Sequence, residues 1–408
     1  MRVLTVVFGL SKGGTERAAA IFAAGYARRG HDSRLLCLKR GVRAAYLTER
    51  NVPILDATDA GWKAVLTDWK PEVVHIHSHG LPEQVVDEIV ALCESAIFVE
   101  TNVFSTPSPW ETHLTYSFQL GEHAAALYIS RGGRAEIVRR ISYPLDDMSF
   151  LPREESWSAR REARERLGLE ADGVVVGRVG QDYMGKWSNN YIDCFSALTD
   201  IPGVRFLIIN PPTELRARLE GESRIAQRLR VINCIEDDEM LRDAYLAMDV
   251  MLHIADQGES FGYAIAEAIS VGTPVVSLST PWGDNTQAEI VRTGLNGAIV
   301  WRPRNLSFAT KWALGHSWSP SEMSRDLHER YGVALTTTRV EALLSETSEP
   351  HIQMSWSGMR IVAFDTVPVL DRVLLRLLFR NAAPSIRKIL RRKSRALATS
   401  MWRRRPST

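Results

Sequence analysis

Glu259 and Glu267 are separated by seven residues in Glu259-Ser260-Phe261-Gly262-Tyr263-Ala264-Ile265-Ala266-Glu267, and Val271-Gly272-Thr273-Pro274-Val275-Val276 follows. The pattern reads as loop, helix, turn and buried strand. It sets one carboxylate just before a helix and the other inside it. A helix N-terminus offers free N–H groups and partial positive charge, which suit phosphate or sugar oxygens. Carboxylates beside it can grip hydroxyls. Together these features equip the segment to hold a sugar nucleotide. The plainer alternative is a surface Glu in a loop and another on an exposed helix face, with Ala264, Ala266 and Ala268 packing on a sheet.

Two further loops carry chemistry. Gly177-Arg178-Val179-Gly180 leaves a buried strand and runs through Gly185-Lys186-Trp187. Arg178 offers a fork of donors and Lys186 a point charge, so both suit a diphosphate at the strand's C-terminal end. The flanking glycines permit close backbone approach. Solvated surface cations are the ordinary fate of such residues. Gly9-Leu10-Ser11-Lys12-Gly13-Gly14-Thr15-Glu16-Arg17 follows the first strand and opens the first helix. Gly13-Gly14 lets backbone N–H groups face an anion, or serves only as a tight turn. It is neither G-x-G-x-x-G nor a P-loop, which disfavours a dinucleotide-dependent dehydrogenase. Alternation places His75, His77 and His79 on one strand face. A metal site there is set aside, because strand curvature and the strand's end separate such side chains. A strand-end His77 near an acceptor is the preferred reading. No Asp-x-Asp pair is present, so no metal is expected, and charge neutralisation falls to Arg178, Lys186 and the helix N-terminus.

The elements that position these loops alternate along 408 residues, long enough for two domains. Strands are expected at Val3–Phe8, Ser33–Leu38, Val73–His77, Ile97–Glu100 and Ala126–Ile129. A second series is expected at Val174–Val179, Phe206–Asn210, Arg230–Asn233, Val250–His253, Thr273–Leu278 and Gly297–Val300. Helical segments lie between them, which implies parallel sheets covered on both faces. The expected fold class is α/β, with two tandem doubly wound, Rossmann-like domains facing a cleft. The first domain spans 1–150, a linker 151–171, the second domain 172–335, a connecting segment 336–371, and a tail 372–408. Cys37, Cys93, Cys194 and Cys234 are widely spaced without C-x-x-C, which suits buried thiols in a reducing compartment. No apolar run approaches the ~20 residues of a membrane span, and the N-terminus lacks a signal-peptide pattern. A cytoplasmic protein is expected.

The combination now becomes specific. A Gly-Gly loop with Glu-Arg after strand one, a Gly-Arg…Lys loop opening the second half, and Glu-x7-Glu followed by Gly-x-Pro-Val-Val resemble the GT-B glycosyltransferases of family GT4, over roughly residues 1–330. Thr280-Pro281-Trp282-Gly283-Asp284-Asn285-Thr286-Gln287 suggests a subgroup with this loop. The resemblance implies a retaining hexosyltransferase that takes a nucleotide-sugar donor as co-substrate and needs no other cofactor. It implies that Arg178 and Lys186 neutralise the departing diphosphate, that Glu259 faces the transferred sugar and that Glu267 holds the ribose. Backbone N–H groups of Phe261, Gly262 and Tyr263 are to meet sugar or phosphate oxygens. Gly13 and Gly14 are to lie at the cleft, and the base near Asn233, Cys234 and Ile235. Two departures stand out. Thr101-Asn102 occupies the place where many members carry a His, and the Arg178–Lys186 interval is wider than usual.

Residues 372–408 hold 12 Lys and Arg and no Asp or Glu; the net charge of +2 therefore leaves −10 on the rest. Arg372, Arg376 and Arg380, then Arg387, Arg391 and Arg395, recur beside Leu and Ile clusters. The favoured reading is a helix lying on an anionic membrane surface. Nucleic acid is disfavoured by sparse aromatics. The expected partners are a nucleotide sugar, a saccharide or lipid-linked acceptor, and the inner face of the cell membrane, in surface polysaccharide synthesis. A sugar-nucleotide epimerase and a catalytically silent membrane- or partner-binding module are the alternatives.

Overall fold

The computed structural model describes residues 1–78, 81–146, 157–235 and 237–345. His79, part of the expected linker, part of the connecting segment and the whole basic tail lie outside the described residues.

The first sheet has seven parallel strands: β1 (Arg2–Gly9), β2 (Asp32–Lys39), β3 (Ile54–Asp56), β4 (Val73–Ser78), β5 (Ile97–Asn102), β6 (Tyr116–Gln119) and β7 (Val138–Arg140), in the order β3-β2-β1-β4-β5-β6-β7. The second has six: β8 (Val174–Val179), β9 (Val204–Ile209), β10 (Leu229–Ile232), β11 (Val250–His253), β12 (Val275–Leu278) and β13 (Gly297–Val300), in the order β10-β9-β8-β11-β12-β13. Each sheet begins at its middle, winds one way and then the other. The reversal between β8 and β11 leaves a crevice at the strands' C-terminal ends, where doubly wound sheets take ligands. Helices cover both faces, so central strands such as Val174–Val179 are buried nearly throughout.

The segment Ala126–Ile129, expected as a strand, lies inside a helix, Glu122–Ser130. A short apolar run does not distinguish buried strand from buried helix. Here Ala124-Ala125-Ala126 supplies strong helix formers, and the chain enters from an extended Gly121.

One apolar cluster spans both domains: Ala18, Tyr143 and Leu145 of the first share it with Phe261, Ile265 and Tyr331 of the second. The linker helix Trp157–Arg166 belongs to the second domain's surface. Buried Arg164 donates to the carbonyls of Ala247, Ala171 and Gly173 and pairs with Asp249 at 2.7 Å. The last described helix, Val333–Leu344, returns to the first domain. Val340 and Leu344 pack with Val3, Phe22 and Tyr26, and Glu341 accepts from Arg29 and from His31 Nε2 at 2.8 Å. The boundary expected at 335 falls inside this helix.

Candidate active site

Arg178 is next to last on β8, His253 closes β11, and Glu259 lies on the loop after β11. The switch point therefore brings the three together. Lys186 Nζ donates to Glu259 Oε2 at 2.7 Å, and Arg178 Nη2 lies 3.9 Å from Oε1. Arg178 also donates to the Lys186 carbonyl at 3.0 Å, and its guanidinium lies 5.4 Å from the centre of the Trp187 ring. Its Nε and Nη1 have no hydrogen-bond partner among the described residues. Burial pushes the Glu259 carboxyl up. Lys186, the hydrogen bond from His253 and Arg178 outweigh that and hold it well below the usual carboxylate range. Glu259 is thus a fixed negative charge rather than a proton donor.

The loop carrying Glu259 is braced by its neighbour. Gln287 accepts from the Glu259 backbone N–H at 3.0 Å, and donates to Thr280 Oγ1 at 2.6 Å and the Leu278 carbonyl at 3.1 Å. Asn285 accepts from the Thr280 N–H at 2.8 Å, and Ser260 donates to Asp284 at 2.6 Å. The Thr280–Gln287 motif is therefore the scaffold that holds Glu259 in place. Gly258 adopts φ +73°, and a Cβ there would meet the Asp284 carbonyl oxygen at 1.8 Å, so only glycine fits.

The helix Tyr263–Ser270 starts after Gly262 and carries Glu267 inward. Tyr245 donates to Glu267 Oε2 at 2.7 Å, while Arg17 of the first domain pairs with Oε1. Phe261 is buried in the cluster between the domains. Tyr263 donates to the Pro144 carbonyl at 2.9 Å, and Arg17 lies over its ring at 4.8 Å. Gly13 caps the helix Gly14–Arg28, and a Cβ on Gly14 would stand 3.4 Å from the Tyr263 ring. The Gly-Gly turn and the Glu267 helix thus meet across the cleft.

The remaining candidates stand apart from this cluster. Asn233, Cys234 and Ile235 follow β10 at the sheet's edge; Asn233 accepts from Arg216 at 2.9 Å and Ile235 packs against the cluster under the Glu267 helix. Asn102 is buried, donating to Glu100 at 3.2 Å and to the Thr106 carbonyl at 2.8 Å. His77 is 2% exposed beneath the Phe22 ring, its imidazole 4.3 Å from that of His75. Neither nitrogen of His77 has a partner among the described residues. His75 is satisfied, by Tyr26 at 2.9 Å and Thr101 at 2.7 Å. Among the described residues no three His, Cys, Asp or Glu side chains converge as a metal site.

Four neighbours of the site went unread in the sequence: His253, Tyr245, Arg17 as the partner of Glu267, and Glu289. Glu289 accepts from the backbone N–H groups of Glu122 and His123, each at 3.0 Å, and so closes the first domain's helix start. His253 carried a weak signal, as a polar residue ending the apolar run Val250-Met251-Leu252. The others depend on which faces meet.

Residues 172–314 match the family described as Glycosyl transferases group 1. No curated protein matches the chain. Among solved structures it is similar to Anabaena HepE in complex with UDP and glucose, with TM-score 0.66 and 17% identity over 85% of this chain and 100% of that one. It is similar also to a glycosyltransferase from Rickettsia africae, with TM-score 0.68 and 12% identity over 85% and 99%. Sucrose-phosphate synthase from Thermosynechococcus elongatus gives TM-score 0.63 and 16% identity over 85% and 99%. The chain has the GT-B fold, and the stretch matching the group 1 glycosyltransferases is the one that carries Arg178, Lys186, Glu259 and Glu267.

Proposed function

We propose that the protein is a retaining, GT4-type glycosyltransferase that moves a hexose from a nucleotide sugar to a saccharide or lipid-linked acceptor at the inner face of a membrane. The observation that carries this reading is the cluster at the β8/β11 switch point, where the ionised Glu259 is held by Lys186 and faced by Arg178. In this reading Lys186 meets the donor diphosphate, and Arg178, buried behind it with Nε and Nη1 unpartnered among the described residues, adds its charge. Two cations then stabilise the charge that grows on the leaving group, which is the largest demand of the step. Glu259 faces the transferred sugar and Glu267 the ribose hydroxyls. The acceptor hydroxyl arrives on the face from which the diphosphate departs, and a diphosphate oxygen takes its proton. No protein base is needed, in keeping with a Glu259 that stays ionised. No metal is needed either, since Arg178 and Lys186 supply the positive charge.

The test is a thermal-shift screen of the full chain against UDP-, GDP- and ADP-sugars, because a ligand of the native state raises its melting temperature. UDP-glucose comes first, since a structure of Anabaena HepE holds it. A shift with one nucleotide series is expected, and Glu259→Ala and Lys186→Ala are each expected to abolish transfer while the fold persists. Wild-type rates in both variants would remove the site assignment.

A further inference from the structure

We infer that His253 is a positioning residue that fixes the Glu259 carboxylate against Lys186. The inference rests on the reading of Glu259 given above. His253 ends β11 and is fully buried between β8 and β12. Its Nε2 lies 3.0 Å from Glu259 Oε1, and its Nδ1 lies 3.3 Å from Ser277 Oγ, the residue paired with it on β12. An ionised carboxylate only accepts hydrogen bonds. Nε2 therefore carries the hydrogen and donates, which leaves Nδ1 to accept from the Ser277 hydroxyl. The ring is held from both sides in one tautomer and one orientation.

Ser277, His253 and Glu259 in a row have the composition of a nucleophilic triad, but access rules that out. Ser277 is fully buried inside the sheet, so no substrate reaches its hydroxyl. The chain of contacts runs the other way, from the rigid sheet outward to the carboxylate. The groups facing the imidazole agree. Burial, with Arg178 beside it, pushes His253 down to about 4, against the pull of Glu259. Around neutral pH the ring is a neutral donor that neither gives nor takes a proton. With Oε1 occupied by His253, Oε2 is turned to Lys186. A donor sugar then meets a carboxylate whose rotation is already fixed. Such placement matters, because a shift of about 1 Å at a reacting centre costs up to ~100-fold in rate.

The test compares the full-length wild type with H253L, which keeps the volume without the donor, and H253Q, whose amide reaches the place of Nε2. Crystal structures and turnover of UDP-glucose are both measured, with UDP affinity by calorimetry. In H253L the Glu259–Lys186 contact is expected to break. Its kcat is expected to fall by about tenfold or more, with KM and UDP affinity within about threefold of wild type. H253Q is expected to restore both. An H253L structure with Glu259 unmoved, or an unchanged kcat where Glu259→Ala is inactive, overturns the inference. If the wild type does not turn over UDP-glucose, the doubt falls on the functional reading, and the crystallographic comparison still decides the positioning role. Should H253L not fold, H253N is read against H253Q. Its amide stops short of Glu259, and equal activity of the two variants refutes the proposal.

Discussion

Arg17, on the first helix, pairs across the cleft with Glu267, the carboxylate that the functional reading gives to a ribose. Both side chains are largely buried, and Tyr245 occupies the second oxygen of Glu267. A nucleotide reaching Glu267 competes with the guanidinium for that carboxylate. Arg17→Met is therefore expected to tighten UDP binding by about three- to tenfold at pH 8, while Glu267→Gln weakens it. That gain is about 0.7–1.4 kcal/mol, less than the about 1.5–3 kcal/mol that a hydrogen bond to a charged group contributes. Calorimetry with both variants decides the matter, and weaker binding by Arg17→Met would show that Arg17 assists the ligand instead.

Burial pushes His77 well below its ordinary value, with His75 beside it acting in the same direction. The unfolded chain takes up this proton near pH 6.5 and the folded chain does not. Stability attributable to the ring is complete above pH 6.5 and is lost as the pH falls below it. His77→Phe removes that loss. At pH 5 the variant should gain about 2 kcal/mol relative to its offset at pH 8. Denaturant melts at the two pH values measure this. An equal offset at both would mean that the ring is protonated, or solvated, in the native state.

Glu289 of the second domain caps the first domain's helix at Glu122 and His123. Gly121 leaves room for it, since a Cβ there would stand 2.6 Å from Oε1. Glu289→Ala and Gly121→Ala should both loosen the closed arrangement, at a cost of about 1–3 kcal/mol for the unmet donors. Small-angle scattering should show a larger radius of gyration for each. A profile identical to wild type would exclude this contact as a clamp.

Gly258 combines a left-handed backbone with direct contact to the Asp284 carbonyl. Gly258→Ala should destabilise the protein by about 2–4 kcal/mol through strain and overlap, and should displace Glu259. A variant with wild-type stability would contradict the brace described for the Thr280–Gln287 loop.

The 12 cations of residues 372–408 each contribute about 1 kcal/mol near an anionic leaflet. Removing the segment should abolish sedimentation with phosphatidylserine-containing vesicles and leave nucleotide binding intact. Undiminished co-sedimentation would place the membrane contact elsewhere on the chain.

Much of the architecture was legible in the sequence, because strands buried on both faces are written as apolar runs. Val174–Val179 and Val250–His253 are cases where the ends agree with the pattern. β6 and β7 were missed because Ser117, Gln119 and Arg139 interrupt the apolar signal, although Ser117 and Gln119 are buried. The proximity of Arg178, Lys186 and Glu259 follows from their places at the end of β8 and on the loops that leave β8 and β11. His253 did not stand out, since one histidine closing an apolar strand looks like core. Arg17 and Glu289 act across the cleft, and local spacing says nothing about which surface a side chain will meet.

The helix Val333–Leu344 completes the first domain's hydrophobic interior from the far end of the chain. That domain is therefore not a contiguous stretch of sequence. Expressing residues 1–150 alone would leave Val3, Phe22 and Tyr26 bare on one flank, and the fragment should aggregate. Work on an isolated first domain has to begin with a piece in which residues 333–344 are grafted back behind residue 146.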